Sequence, residues 1–596
     1  MKNVGGQYRS AQNRNSSSEG WNLKTDLLYL GILTFVLTIV LIYEMKLWRM
    51  DINVPIVYLG GDDFSTLANA KSMTEQLWNL TADRMGAPYI TSYYDFTSSV
   101  MHNFDLFTLK IFSVLTQDAG VATNLEFLTI PYFCAFISYF VMRDLKISRW
   151  VSVCGSLVFG FSPFIFVRSL AHLVLSTCYF VPLSVLLCIW IFERDDILVL
   201  NKSFFKNKRN WMVILFCALI ANNGIVYYPF FTCFILVITG LSKSIKRKDI
   251  RYLGKAFIPI GFIAGFIVIA LIPVLIHILK NGVNGDAVVR AGFIESEIYG
   301  LKMIQLLLPM NDHGIPIAKK IIDMYWDNSP LINENVSSYI GLMGDCGFVI
   351  LMFNMFSDAK EKKGTRLRLL SEMNIWMILL GSIGGIGTIW AFFVTDKLRG
   401  FNRVSIFIGY VCILGFCLWL DEIYKKRNKR WIVAAGSVFA VLVSMEQLPT
   451  SKLPSYDDNY YNYTSDHAFV GQIESMVEPN SMIYQIPYLE YPEGGSIHDM
   501  YDYHLMTGYI HSKTLRWSFG NMKGTEGDEW NKKVGAMPIP QMVEYLKENG
   551  FAGIYIDRRA YTAQELDVLD QTLEECTGMK PIISENENLG FSQFLK

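Results

Sequence analysis

Long uncharged apolar runs alternate with dense clusters of Lys and Arg along this chain, and that alternation leaves few folds open. The run from Leu27 to Tyr43 holds no charged residue. Segments near 26–45, 124–142, 150–168, 173–193, 211–226, 228–242, 256–278, 339–357, 372–393, 403–421 and 431–447 are similarly apolar. A helix needs about 20 such residues to cross a bilayer, with a lower limit near 17. No water reaches the hydrocarbon core, so only a structure that satisfies its own backbone can sit there. The composition, 52% hydrophobic and 18% charged, points the same way. A net charge of −1 gives no global basic field for nucleic acid.

The basic clusters set an orientation. They are Arg143, Lys146 and Arg149; Lys202, Lys206, Lys208 and Arg209; Lys243, Lys246, Arg247, Lys248 and Arg251; Lys360, Lys362, Lys363, Arg366 and Arg368; and Lys425, Lys426, Arg427, Lys429 and Arg430. Positive loops stay in the cytoplasm, which places all five inside. The apolar stretch Phe104 to Leu115 would flip every later cluster if it crossed. It spans about 12 residues and contains Asp105 and Lys110, so an interfacial helix on the outer surface fits it better.

The expected fold is therefore a polytopic α-helical membrane protein with about 11 spans. Residues 1–25 form a polar cytoplasmic tail without a cleavage site, and 26–447 form the membrane domain. Two loops, near 46–123 and 279–338, face outward, as does the tail 448–596. That tail carries 22 acidic against 11 basic residues, with strand-like runs at Ser481 to Pro487 and Gly553 to Asp557. It reads as a small extracytoplasmic α/β domain. Ten cysteines without a CxxC pair indicate neither a disulfide framework nor a zinc knuckle. No internal repeat of the kind that supports a secondary transporter is visible.

The first outer loop opens with Gly60-Gly61-Asp62-Asp63-Phe64. Acids so close to a bilayer are costly unless solvated, paired or functional. Asp63 or Ser65 can cap a helix that starts near Phe64 and runs through Leu67, Ala70, Met73 and Leu77. Two adjacent carboxylates oppose each other's ionisation, so one can titrate nearer neutrality and serve as a general base. The plainer reading makes Asp63 a cap and leaves Asp62 solvated.

Several patches resemble the GT-C glycosyltransferases, polytopic enzymes that take sugars from polyprenyl-phosphate carriers. His102-Asn103-Phe104-Asp105-Leu106-Phe107 through Leu115 is similar to their second juxtamembrane helix. Asn124 through Phe140, followed by Arg143-Asp144-Leu145, is similar to their second span and its basic end. Phe161-Ser162-Pro163-Phe164 with Arg168, His172 and Tyr179-Phe180-Val181-Pro182 resembles a bacterial subgroup, as does Gly553 through Arg559. The likeness covers most of the chain in organisation and is specific only in short patches.

The resemblance implies a base in the first outer loop, Asp62 or Asp63, and a phosphate leaving group held by cations. Arg168 and His172 at the outer end of the third span are candidates, against interfacial snorkelling. Arg399 and Arg403, in the short outer loop TDKLRGFNR, run against the orientation bias and are candidates for the same anion, against simple anchoring. Asp95, Tyr228, Arg290, Glu295, Glu297, Tyr299, His313 and Asn402 are expected cavity lining, each with a structural or solvated alternative. Trp517, Tyr501 and Tyr503 could stack on sugar faces or pack in a core. No HExxH or HxH spacing appears, so no cofactor is indicated, although the acid pair leaves a divalent metal open.

The expected activity is transfer, with inversion, of a sugar from a lipid-linked donor to a hydroxyl of a cell-surface glycan or glycolipid at the outer face of the plasma membrane. Membrane lipid and the two substrates are the expected partners, and nucleic acid is not. The competing readings are a flippase for lipid-linked glycans, which would put its key charges near mid-bilayer, and a non-catalytic cell-envelope assembly factor.

Overall fold

The computed structural model describes residues 20–96, 101–289, 291–310, 316–330, 334–356, 362–426, 429–448 and 454–594. Helix α1 (Leu23–Glu44) begins where the Asn22 side chain accepts the Thr25 backbone N–H at 3.2 Å. It is apolar on all sides. Leu33, Leu37 and Leu41 are buried, while Leu28, Phe35 and Ile39 are exposed. An all-round apolar helix with an outer face like this suits a lipid surface.

Two helices follow before the chain returns to the bundle. These are α2 (Asp62–Glu75) and α3 (Asn103–Thr116), with a two-residue hairpin, β1 (Thr81–Ala82) and β2 (Thr91–Ser92), between them. Helix α3 exposes Phe107, Ile111 and Val114 along one stripe and buries Leu106 and Leu109 on the other. That is the pattern of a helix lying at an interface. Asp105 lies on its buried side and accepts from Asn223 Nδ2 at 2.6 Å and the Gly224 N–H at 3.1 Å. This fastens α3 to the turn between α9 and α10.

The bundle contains α4 (Ala119–Asp144), α5 (Arg149–Gly160), α6 (Pro163–Arg168), α7 (Leu173–Ser176), α8 (Val181–Glu193), α9 (Lys208–Ala221), α10 (Tyr227–Arg247), α11 (Arg251–Ala270) and α12 (Ile272–Asn281). Short helices α13 (Ile294–Ile298), α14 (Ile304–Leu307) and α15 (Pro316–Asn328) occupy the second long loop. Then come α16 (Gly341–Asn354), α17 (Lys362–Gly381), α18 (Ile386–Phe393), α19 (Ser405–Lys426) and α20 (Lys429–Glu446). Among the described residues, seven helical stretches are long and apolar enough to cross a membrane: Leu23–Glu44, Ala119–Asp144, Arg149–Arg168, Leu170–Glu193, Tyr227–Arg247, Arg251–Ala270 and Phe401–Lys426.

Several of the segments read as spans are broken within their length, and others are shorter, for local reasons. The stretch 256–278 divides at Leu271, just before Pro273, which cannot donate to the preceding turn. The stretch 372–393 starts earlier, at Lys362, and breaks at the glycine-rich run Gly381 to Gly385. The stretch 150–168 divides ahead of Pro163.

Residues beyond the bundle build α21 (Tyr456–Met476), α22 (Thr507–His511), α23 (Glu526–Gly535), α24 (Ile539–Glu548) and α25 (Ala563–Thr577) around a five-stranded sheet. Its strands are β3 (Met482–Ile486), β4 (Arg516–Trp517), β5 (Phe551–Asp557), β6 (Ile582–Ile583) and β7 (Leu589–Gln593), in the order β4-β3-β5-β7-β6. The pairs β3–β4 and β3–β5 are parallel, and β5–β7 and β6–β7 are antiparallel.

The first long loop extends this sheet. Trp517 N–H donates to the Arg84 carbonyl at 2.9 Å, Ala87 N–H to the Trp517 carbonyl at 2.9 Å, and Gly86 N–H to the Phe519 carbonyl at 3.0 Å. The β4 edge is thereby covered rather than left as a template for other chains. Tyr58, Phe64, Leu67, Met85 and Tyr93 share one core with Phe469, Met500, Tyr509, Trp517 and Phe591. Side chains of this kind contribute about 1.5–3 kcal/mol each when fully buried. The sheet therefore sits on the end of the bundle where α1 finishes, packed against the segment that carries the acid pair.

Candidate active site

The run Gly60-Gly61-Asp62-Asp63 turns into α2 at Asp62. Gly60 has φ +85, a conformation that side chains disfavour, and a Cβ there would also collide with the His504 ring. The two acids that follow part company. Asp63 is buried, and its carboxylate accepts the Leu59 N–H at 2.7 Å and the Gly61 N–H at 2.9 Å. It reaches backward to tie the turn together, and Gly61 rather than Asp63 occupies the helix cap position. Burial pushes the Asp63 carboxyl above its ordinary pKa, with those backbone N–H groups working in the opposite direction.

Asp62 points the other way. Its side chain is 49% exposed, and Oδ2 lies 3.4 Å from His172 Nε2. As the first residue of α2 it sits at the positive end of the helix dipole, which favours the charged carboxylate. His172 ends a short turn that α2 itself holds, since Thr66 Oγ1 donates to the Leu170 carbonyl at 3.1 Å. The fold thus brings together one acid and one histidine that are 110 residues apart in sequence. Arg168, four residues earlier, is buried with its guanidinium 5.4 Å from the Phe164 ring centre. It does not snorkel.

A second group of side chains comes from the loop before α19. Arg399 Nη1 lies 3.3 Å from Glu295 Oε2, Arg399 Nη2 lies 3.5 Å from Glu493 Oε1, and its guanidinium stands 5.1 Å from the Tyr299 ring centre. Partial burial works against this charge, but the two glutamates outweigh it and hold the Arg399 pKa above its ordinary value. Arg403 stacks 4.3 Å from the Tyr227 ring centre, a cation–π contact. Asn402 is buried, and neither end of its amide bonds to another described residue. Buried amides are normally satisfied, so this one is a candidate for contact with a ligand.

The remaining expected residues divide. Glu295 is buried and also accepts the Ala291 N–H at 3.0 Å, while Glu297 and Tyr299 are half-buried beside it. Asp95 lies 3.5 Å from His277 Nε2, and Tyr94 stacks on that imidazole at 4.8 Å. Asp95 thus joins the first long loop to α12. Tyr228 is buried, its hydroxyl donates to the Leu175 carbonyl and its ring packs against Phe407. Arg290 and His313 lie outside the described residues. Trp517 and Tyr503 are buried and belong to the core, whereas Tyr501 is half exposed.

Sequence reasoning missed His504 and Glu493, which lie more than 400 residues from the acid pair, and His277. No local pattern announces them. Their roles come from contacts between distant segments: His504 with Gly60, Glu493 with Arg399 and His277 with Asp95.

Both Asp63 oxygens are taken by backbone N–H groups, and among the described residues no group of three or more His, Cys, Asp or Glu could hold an ion.

This fold, a helical bundle with a sheet-bearing C-terminal segment, is similar to that of ArnT. ArnT from Cupriavidus metallidurans bound to undecaprenyl phosphate superposes with a TM-score of 0.51 at 11% identity, covering 95% of this chain and 97% of its own. The arabinofuranosyltransferase AftD from Mycobacteria gives 0.48 at 13% identity, over 90% of this chain and 37% of that one. The Archaeoglobus fulgidus oligosaccharyltransferase gives 0.45 at 11% identity, over 89% and 69%. No family model and no curated protein matches.

Proposed function

We propose that the chain is a multi-pass membrane glycosyltransferase. It transfers a sugar from a polyprenyl-phosphate donor to a hydroxyl of a cell-surface glycan or glycolipid, with inversion. The observation that carries this reading is the division of labour between the acids. Asp63 is spent on the turn, and Asp62 presents a solvent-facing carboxylate to His172 within a GT-C fold.

The reaction balances with these residues. The acceptor hydroxyl gives its proton to Asp62 while its oxygen forms the new bond to the anomeric carbon. The bond from that carbon to the phosphate oxygen breaks, and its electron pair leaves as polyprenyl phosphate. A phosphate monoester is a stable anion, so the leaving group needs cations more than a proton. Arg399 and Arg403, with the Asn402 amide, supply that side, because Arg matches phosphate oxygens in bidentate fashion. Arg399 then exchanges a glutamate for the incoming phosphate. His172 orients the Asp62 carboxylate. One base and no covalent intermediate correspond to inversion, as in a glycosidase that activates water with a single carboxylate.

The five basic clusters support a cytoplasmic location for their loops, and with it an outer-face location for Asp62 and the sheet and about eleven crossings. The acids and cations assigned to the reaction sit at the sheet-bearing end of the bundle rather than at mid-bilayer, which favours chemistry at a surface over transport.

The test uses membranes supplied with a panel of undecaprenyl-phosphate hexoses and their endogenous acceptors. Asp62→Asn should abolish transfer while Asp63→Asn retains part of it. Full transfer by the Asp62→Asn protein would overturn the base assignment. Transport of the lipid-linked sugar without any transfer by the native protein would favour the flippase reading.

A further inference from the structure

Two carboxylates hold Arg399, and they are not equivalent. The guanidinium fork is split, with Nη1 3.3 Å from Glu295 Oε2 and Nη2 3.5 Å from Glu493 Oε1. Each acid makes one long contact, whereas a fully engaged arginine grips a single anion through two parallel bonds of about 2.7–2.9 Å. The segment that carries Arg399 is fixed. The Gly400 N–H donates to Tyr227 Oη at 3.4 Å, the Asn402 N–H donates to the Tyr299 carbonyl at 3.2 Å, and the Tyr299 ring centre lies 5.1 Å from the guanidinium. Glu295 is fixed as well. Its side chain is 12% exposed, and its other oxygen, Oε1, accepts the Ala291 N–H at 3.0 Å.

Glu493 differs on each count. It arrives from the C-terminal segment, and its side chain is 35% exposed. It has φ +58, a left-handed conformation uncommon for a residue with a side chain, and Gly494 and Gly495 follow it. The loop is pinned on either side. Lys523 N–H donates to the Tyr491 carbonyl at 2.7 Å, and Ile497 N–H donates to the Met500 carbonyl at 2.9 Å. Glu493 therefore sits at the tip of a short glycine-containing loop between anchored ends, where backbone rotation can withdraw it. Strained residues of this kind cluster at ligand clamps and switches. Charge balance gives a reason for withdrawal. Arg399 and Arg403 offset Glu295 and Glu493, so the group is neutral as it stands. A phosphodiester adds one negative charge, and neutrality returns only if one glutamate leaves. After transfer the lipid phosphate is a monoester carrying about −1.5 to −2 charges at pH 7. The two arginines then hold the product more tightly than the donor unless a carboxylate returns to compete.

We propose that Glu493 is the exchangeable carboxylate of the phosphate site: it yields Arg399 to the incoming lipid phosphate and, after transfer, returns to Arg399 and speeds release of the polyprenyl phosphate. Glu493 acts through Arg399 and touches no reacting atom, so it is a positioning residue and not a catalytic one. The proposal rests on the reading of Arg399 as a phosphate ligand. On this view the sheet-bearing segment sets lipid-phosphate affinity and turnover as well as covering the first loop. A neutral side chain in place of Glu493 should tighten the binding of product, which is the opposite of what structural damage does.

The experiment measures affinity for undecaprenyl phosphate in the full-length protein, purified in nanodiscs. It compares the native chain with Glu493→Gln, Glu493→Ala, Glu295→Gln and Arg399→Ala, records melting in parallel, and uses undecaprenol as the control that keeps the chain and lacks the phosphate. Both Glu493 variants should bind undecaprenyl phosphate about 5-fold more tightly, the effect of removing one partly exposed ionic competitor. Undecaprenol should show no gain. With the undecaprenyl-phosphate hexose that the native protein uses, the steady-state kcat of the Glu493 variants should fall below their single-turnover rate, because release has become slow. Glu295→Gln should gain less or lose affinity, since Arg399 then lacks its fixed partner. Unchanged or weaker binding by the Glu493 variants would overturn the proposal, and so would an equal gain in Glu295→Gln. If one Glu493 variant melts early, the other decides. Arg399→Ala that binds as tightly as the native protein would remove the phosphate reading beneath the proposal. A weakened Arg399→Ala beside unchanged Glu493 variants would sink the exchange alone.

Discussion

The two ends of the helix bundle handle buried charge differently. At the basic end, acids are closed off by several partners each. Asp26 is buried and receives Tyr139 Oη at 2.9 Å, Arg143 Nε at 3.1 Å and Arg149 Nε at 2.9 Å. Asp421 receives the Ser148 N–H at 3.0 Å, Ser148 Oγ at 2.6 Å and Lys425 Nζ at 2.6 Å. Arg366 grips both oxygens of Glu193. At the sheet-bearing end, Asp62 faces solvent beside one histidine, Arg399 is shared between two glutamates, and the Asn402 amide lacks a partner among the described residues. Saturated networks hold helices together, whereas open-sided charges can exchange partners with a substrate. The difference separates the part of the molecule that maintains the fold from the part proposed to perform transfer.

The largest effect that could break this comparison is expected at Asp62. General-base catalysis contributes about 10²- to 10⁴-fold, so Asp62→Asn should lower kcat by that range. Its melting temperature should stay close to that of the native protein, because the side chain is half exposed. A large loss of stability would show that the site end is structural after all. The complementary change is Asp26→Ala, which leaves Arg143 and Arg149 buried without their carboxylate. Breaking a buried ion pair costs about 3–5 kcal/mol. Membrane abundance and melting temperature should drop, while kcat per folded molecule holds. A kcat loss at unchanged abundance would erase the distinction between the two ends.

The sequence carried this division unevenly. Apolar runs and basic clusters are local signals, so helices appear at each expected span, and the breaks at Pro163, Pro273 and Gly381 to Gly385 are readable once looked for. The short amphipathic helix Asn103–Thr116 was foreshadowed by Asp105 and Lys110 inside a short apolar run. The acid pair was visible, but not its division, because Asp63 is assigned by two backbone N–H groups that only the positive φ of Gly60 brings within reach. Tyr228 packs in the core, and an aromatic near a helix end looks the same in sequence whether it faces lipid, substrate or core. His504 and Glu493 were invisible, since their meaning depends on contacts with Gly60 and Arg399 that lie far away in the chain.

A third, smaller effect probes the contact between the sheet-bearing segment and the first loop. Asp466 is buried and accepts from Tyr58 Oη at 2.8 Å and Asn586 Nδ2 at 3.0 Å. Burial raises its pKa from 3.8 to about 6. A carboxyl whose folded pKa is raised favours the fold when protonated. Its contribution is full below about pH 4 and is lost as pH rises through about 6. That displacement corresponds to about 3 kcal/mol. Neutral, buried His504 and His511 act in the opposite direction, so the native protein's own profile mixes the terms. The Asp466→Asn variant isolates the carboxyl. Relative to the native protein, it should gain about 3 kcal/mol of stability between pH 4 and pH 7. A stability difference that is flat across that range would show Asp466 to be charged and well paired, like the acids of the basic end.

The smallest expected effect is at Arg49, whose Nη2 lies 2.6 Å from Asp457 Oδ2. This pair also joins the first loop to the C-terminal segment, and by distance alone it looks stronger than the Asp62–His172 contact. Its side chains are 47% and 85% exposed, however, so water competes for both partners. Exposed ion pairs contribute about 0.2–1 kcal/mol, and salt screens them further. Arg49→Ala should therefore change melting by no more than about 1 kcal/mol and leave transfer unaffected. If the substitution lowered kcat as much as Asp62→Asn is expected to, any loosening of the two segments would suffice to disable the base. An inert Arg49→Ala beside a damaged Asp62→Asn would place the effect in the base itself, not in general adhesion between the segments.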